Sequence, residues 1–195
     1  MPKIIDHEQR RGHIIDVTWR LITEGGVEAA TMREIAAAAG FANGALKHYF
    51  ASKEEIIEAT YERALGMMAE YVNLAGLRGL AALREIYTAV MPLDPPRITA
   101  GRVLLAFWQL ALSDAKLHEK YLEHLRFWRG VLHRFIAEGR EDGDIRTALP
   151  DEQLVDEIVL LTAGANVMSL VGAEFSTVAL RHQHIESFLD RITRP

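Results

Sequence analysis

The sequence predicts an all-α fold of about nine helices, with a small N-terminal three-helix unit ahead of a larger helical part. Three observations carry this. Apolar residues recur three and four positions apart along most of the 195 residues, the spacing of one helical face. Glycine and proline interrupt that pattern at helix-length intervals: Gly25 and Gly26, Gly40, Gly76 and Gly79, Pro92, Pro95 and Pro96, then Gly139 and Gly143. No stretch reads clearly as a strand. The composition, 49% hydrophobic and 25% charged, suits a globular core. With no cysteine there are neither disulfides nor thiolate metal sites. The opening MPKIIDHEQRR lacks the apolar core of a signal peptide.

The first helix spans about residues 7–24, with Ile14, Ile15, Thr18, Leu21 and Ile22 on its inward stripe. Thr31 and Glu34 form a capping box that starts the second helix: the hydroxyl accepts from an early amide and the carboxylate reaches back. Met32, Ile35, Ala36 and Ala39 keep to one face. Gly40 stops the helix in the left-handed conformation. Phe41 fills the corner, and a short helix over about 43–49 follows, with Leu46 and Phe50 as inward anchors. Ser52 and Glu55 make a second capping box, opening a helix to about residue 73.

A short polar helix braced crosswise by another is the geometry of a major-groove reader. Its outward residues, Asn43, Gly44, Ala45, Lys47 and His48, are small or hydrogen-bonding, as close approach to bases and phosphates requires. On spacing alone, a helical hairpin inside an ordinary bundle remains equally open. Charge is compatible with either. The chain carries −5 overall, but residues 1–53 balance at +1 from seven basic and six acidic side chains. A local basic footprint from Arg10, Arg11, Arg33, Lys47 and Lys53 is sufficient. Lys53 also lies at a helix start, where amides favour anions.

Gly26 precedes Thr31, Ile35, Ala36, Ala39, Gly40, Gly44, Leu46, Tyr49, Phe50, Ser52 and Lys53, which together spell T-x-x-x-I-A-x-x-A-G followed by G-x-L-x-x-Y-F-x-S-K. Over residues 14–65 the chain therefore resembles the N-terminal domain of the TetR family of transcriptional regulators. It departs from the family's usual Ser at Ala42, Thr at Ala45 and Tyr at Lys47. The resemblance implies a helix-turn-helix DNA-binding domain over 1–53, a connecting helix over 54–73, and a ligand-binding and dimerisation domain over 74–195. It implies DNA contacts from Arg10, Arg11, Thr31, Arg33, Asn43, Gly44, Ala45, Lys47, His48, Tyr49 and Lys53.

Beyond Gly79, helices are expected over about 80–91, 98–112 and 115–138, with the prolines at 92, 95 and 96 forcing a break. The helix over 98–112 is apolar around most of its circumference and so buried. Residues 158–173 carry no charge, yet they are too few for a membrane span and are interrupted by Thr162, Asn166 and Ser169. A helix buried partly against a second subunit explains them better, with a last helix over about 177–192. The expected interface is Ile158, Leu161, Ala165, Met168, Gly172, Val178, Ile185, Phe188, Leu189 and Ile192; the resemblance likewise implies dimerisation through the last two helices. It places a ligand pocket among the middle helices, where Tyr87, Met91, Leu104, Phe107, Trp108, Tyr121, His124, Trp128 and Asn166 are the candidates. The segments RVLLAFWQLALSD and RFWRGVL look like the subgroup containing the choline-responsive betaine-pathway repressor, which suggests a quaternary ammonium effector held by aromatic faces.

An enzyme is not expected. No Glu precedes a His by three residues, and there is no Walker loop, HExxH or GxSxG. His182 and His184 point to different helix faces, so no metal or cofactor is expected. The expected function is a cytoplasmic homodimeric repressor, released from a palindromic double-stranded DNA operator by an unidentified small-molecule effector. The alternatives are an effector-independent architectural DNA-binding protein, a helical interaction module or a bundle enzyme.

Overall fold

The computed structural model describes residues 7–195 apart from Asn43. Regular structure among them is helical: α1 His7–Gly25, α2 Met32–Ala39, α3 Lys53–Ala69, α4 Gly79–Val90, α5 Pro95–Ala111, α6 Ala115–Glu141, α7 Asp151–Val171 and α8 Val178–Ile192, with 3-10 turns at Val27–Ala29 and Ala45–His48.

Capping residues set several boundaries. Thr31 Oγ1 accepts from the Glu34 amide at 3.2 Å, and Gly40, at φ 72°, closes α2 by donating to the Ala36 and Ala37 carbonyls. The box is half made, because the Glu34 carboxylate pairs with Arg33 instead of reaching back. At α3 the Glu55 amide donates to Ser52 Oγ at 3.3 Å, while the Glu55 carboxylate accepts from Ala51 N at 2.7 Å. Thr177 caps α8 through the Leu180 amide.

Three boundaries differ from expectation. The short helix after Gly40 is a single 3-10 turn of four residues, since the run before Ser52 leaves too little chain for cooperative α-helix. Pro95 and Pro96 start α5 rather than break the chain. Asp94 Oδ1 accepts from the Arg97 amide at 2.9 Å, and proline suits a first helical turn because it needs no donor there. α7 begins at Asp151, ahead of the uncharged run.

The chain forms two compact units. The first comprises the residues up to Gly66 together with Arg102–Glu119. Its core holds Ile14, Ile35, Leu46, Phe50, Ile56 and Ile57, all essentially inaccessible. The returning segment belongs to that interior: Phe107 stacks on Tyr61 with centroids 3.9 Å apart and planes at 7°, and Lys116 pairs with Glu58 at 3.3 Å. The second comprises Met67–Gly101 and Lys120–Pro195. Leu83, Ile86 and Tyr87 of α4, Leu132 and Ile136 of α6, Leu154 and Ile158 of α7, and Ile185 and Phe188 of α8 make its core. The expected division at residues 53 and 74 did not foresee a first unit that takes in part of α5 and α6.

In the second unit Arg97 is a fastener. It pairs with Asp94 at 2.9 Å, donates to the Thr88 and Ala89 carbonyls at the end of α4, and lies 4.5 Å from the Tyr71 ring centroid. Arg140 binds Asp151 and the Thr147 and Leu149 carbonyls in the same manner, fixing the connection from α6 to α7.

Candidate functional site

The 3-10 turn at Ala45–His48 is presented by the first unit. Leu46 is fully buried beneath it, and the Tyr49 and Phe50 amides both return to the Leu46 carbonyl, at 2.8 and 3.0 Å. That inward plug leaves Gly44, Lys47 and His48 exposed and Ala45 half-exposed. The Lys47 ammonium has no intramolecular partner among the described residues. His7 Nε2 lies 3.3 Å from the His48 carbonyl oxygen, and the His7 ring lies 4.9 Å from that of Tyr49. Tyr49 is half-buried against His7 and Phe41. Arg33 is also outward, its side chain 80% exposed and, among the described residues, paired only with its neighbour Glu34. Thr31 is exposed, its hydroxyl engaged as the α2 cap.

The other expected phosphate contacts are corrected by their surroundings. Arg11 donates to the Tyr49 carbonyl, lies 3.9 Å from the Phe50 centroid and faces Glu55 at 4.0 Å; it ties α1 to the turn. Lys53 Nζ donates to the Val27 carbonyl at 3.1 Å, so its charge braces a loop. Arg10 is exposed with its guanidinium 5.6 Å from the Phe41 ring centroid. Asn43 lies outside the described residues. The outward basic set is thus Arg10, Arg33 and Lys47, narrower than expected.

The expected pocket residues divide between the units. Leu104, Phe107 and Trp108 fall in the segment that groups with the first unit, where Leu104 and Phe107 are core. Phe107 has its face on Tyr61, which corrects its assignment to a pocket. Tyr87, Met91, Tyr121, His124, Trp128 and Asn166 belong to the second unit. Tyr87 is inaccessible and meets Phe188 edge-on at 5.5 Å. Burial, reinforced by Glu157 and opposed by Arg191, pushes its phenol far above the ordinary range, and its hydroxyl has no hydrogen-bond partner among the described residues. Asn166 donates to the Thr162 carbonyl at 3.0 Å, but Asn166 Oδ1 and Thr162 Oγ1 are buried without partners among the described residues. Burial lowers the His124 imidazole.

The expected interface is also corrected. Ile158, Ile185, Phe188, Leu189 and Ile192 are fully buried within the second unit, and Ala165 nearly so. They are spent on the subunit's own core, since a lone amphipathic stripe faces inward by default. Leu161 and Gly172 are half-buried, while Met168 and Val178 are exposed. The outward apolar surface lies on the far side of α7, about half a turn from Ile158, at Leu160, Val167 and Val171, with Met168 beside them, Phe175 in the turn, and Val178 and Leu180 on α8. α7 is long and apolar enough to cross a membrane by length and composition, and 28% of that window is buried inside the protein.

Residues 80–194 match the family described as BetI-type transcriptional repressor, C-terminal, which is more than half of the chain. Residues 14–60 match the family described as bacterial regulatory proteins, tetR family. The chain belongs to the TetR family. Its relatives in that family include the HTH-type transcriptional regulator PksA of Bacillus subtilis, 35% identical over 95 residues, covering 49% of this chain and 46% of that protein. They also include the HTH-type transcriptional regulator BetI of Burkholderia ambifaria, 30% identical over 129 residues, 64% of this chain and 66% of that protein. The matches thus span about half to two thirds of these relatives. Among solved structures, a transcriptional regulator described from Saccharomonospora viridis in complex with choline superposes at a TM-score of 0.82 with 20% identity, over 94% of this chain and 96% of that one. A transcriptional regulator from Rhodococcus sp. RHA1 gives 0.80 with 20% identity, over 93% and 95%. At such identity the likeness carries the fold alone. The TetR family and these named relatives are transcriptional regulators, not enzymes.

Proposed function

We propose that this TetR-family protein is a cytoplasmic homodimeric repressor that occupies a palindromic operator and leaves it when a small molecule binds the second unit. The observation that carries the reading is the turn at Ala45–His48, anchored from within by Leu46 and offering Lys47 and His48 outward. Gly44 and Ala45 let the backbone approach base edges, Lys47 neutralises a phosphate, and Arg33 and Arg10 extend the footprint. Pairing through the outward surface of α7 and α8 would repeat the reading head about one turn of DNA away, roughly 34–36 Å. Effector binding acts by its differential affinity for the two conformations. Choline, held by the Saccharomonospora viridis protein, is the first compound to try.

Selection from random duplex DNA tests the reading. A two-fold palindrome is the expected product. Recovery of unrelated sequences with uniform affinity would point to an architectural protein, and recovery of none would remove the nucleic-acid function.

A further inference from the structure

Two consecutive carbonyls beyond the Leu46 anchor are held by side chains of α1. His7 Nε2 lies 3.3 Å from the His48 carbonyl oxygen, and Arg11 donates to the Tyr49 carbonyl. A carbonyl only accepts, so the first contact requires the imidazole tautomer with its proton on Nε2. His7 and Arg11 are four residues apart in one helix and so share a face. Arg10, three residues on from His7, stands on that side too, with its guanidinium 5.6 Å from the Phe41 ring centroid. Phe41 in turn meets Tyr49 at 5.4 Å, and the His7 ring meets Tyr49 at 4.9 Å with planes at 36°. The opening of α1 thus grips the chain both before and after the turn at Ala45–His48. All of these residues lie in the first unit.

The turn needs such a grip. It is four residues of 3-10 helix, of which Leu46 alone is buried, and 3-10 hydrogen bonds are poorly aligned. One buried side chain fixes where the turn sits but leaves rotation about that side chain open; contacts at a second point stop it. Arg11 and His7 supply the second point, and they differ. Arg11 is half-buried, faces Glu55 at 4.0 Å and lies 3.9 Å from the Phe50 centroid, so it belongs to the packing of the unit. His7 is exposed, opens its helix and touches the residue that ends the turn. Its contact therefore bears on direction more than on stability.

We propose that His7 is a positioning residue for sequence recognition: by holding the His48 carbonyl and the Tyr49 ring it fixes the direction in which the Lys47 and His48 side chains leave the turn, and so separates an operator from unrelated duplex. The inference rests on the reading of this turn as the DNA-contacting element. Groups that reach base edges must arrive in one geometry, whereas attraction to phosphates carries no sequence information and tolerates rotation. His7 accordingly governs the specificity ratio and not the salt slope.

The test uses the full chain, His7→Ala and His7→Gln. Glutamine is the conservative variant, since its side-chain amide nitrogen supplies a donor in place of imidazole Nε2. Each protein is titrated with the duplex selected by the parent and with a scrambled duplex of equal length and composition, over a range of salt, and its Tm is recorded. His7→Ala is expected to bind the selected duplex about tenfold more weakly, as for one modest hydrogen bond lost from each of two reading heads. Its affinity for the scrambled duplex and its salt slope stay those of the parent, and its Tm stays within about 2 °C, as for a surface substitution. His7→Gln recovers most of the discrimination. Equal losses on both duplexes with a smaller salt slope would make His7 a phosphate contact instead. Unchanged discrimination in His7→Ala, or no recovery in His7→Gln, would deny it a positioning role, and a Tm lower by more than about 5 °C would make it a stabilising contact of the unit. Each of these outcomes overturns the proposal. A parent that binds no duplex brings down the regulator reading and this proposal with it, whereas a discriminating parent beside an equally discriminating His7→Ala sinks the role of His7 alone.

Discussion

Val171→Asp should convert the proposed dimer to monomers. Leu160, Val171 and Phe175 are 70%, 73% and 72% exposed in the isolated subunit. Complete burial of such side chains stabilises by about 1.5–3 kcal/mol each, so covering the remaining surface is worth about 1–2 kcal/mol per side chain. Three from each copy give about 6–12 kcal/mol, comparable with the roughly 4–15 kcal/mol cost of association. The neighbours Val167, Met168, Val178 and Leu180 then decide the sign. Removing Val171 from both copies forfeits about 2 kcal/mol, which raises the dimer Kd about thirtyfold. The two carboxylates add their desolvation penalty, so the total is a hundredfold or more. Sedimentation velocity across nanomolar to micromolar concentrations measures it. Leu112→Asp is the control, being 88% exposed and in the first unit. A parent that sediments as a monomer at micromolar concentration, or a Val171→Asp dimer as tight as the parent's, would refute the reasoning.

Lys47→Ala should weaken binding to every duplex and reduce the magnitude of the salt slope by about 2 for a dimer, one phosphate per subunit; an unchanged slope removes Lys47 from the interface. Lys53→Ala should leave that slope intact and lower stability by about 0.5–1.5 kcal/mol through loss of its bond to the Val27 carbonyl, as denaturant titration would show. Phe107→Ala should cost about 3–5 kcal/mol of stability, since the ring is stacked in a core; a variant of normal stability but altered effector response would restore Phe107 to a pocket. Burial lowers the His124 imidazole, so the folded state favours the neutral ring. Its contribution is present above the ordinary histidine pKa of about 6.5 and is lost as pH falls below it, by at most about 1.4 kcal/mol per pH unit. Tm measured from pH 7.5 to 5 should therefore decline less steeply in His124→Phe than in the parent, and identical profiles would exclude the effect.

What the sequence made legible was local. Thr31, Gly40 and Ser52 announce helix ends because a cap is decided within four residues, and the structure shows each one capping. Leu46 as an inward anchor follows from the same short-range logic. The Lys53 and Arg11 roles were hidden because their acceptors, the Val27 and Tyr49 carbonyls, are distant along the chain and carry no side-chain signature. Asp94 before two prolines did carry a signal, that of a cap followed by first-turn residues, but proline was read as a breaker. The outward surface of α7 was misplaced for a physical reason. A helix apolar on nearly every side has no dominant period, so Leu160 and Ile158 cannot be told apart until α4, α6 and α8 are packed against it.

The return of Arg102–Glu119 into the first unit has a practical corollary. A fragment cut after residue 73 would keep the reading turn yet expose Tyr61, which would have lost Phe107 from its face, and would leave Glu58 without Lys116. The portion proposed to contact DNA is therefore not a detachable cassette. Chimeras that graft it onto a foreign C-terminal part must carry the stretch from 102 to 119 as well, or supply a substitute plug of the same shape.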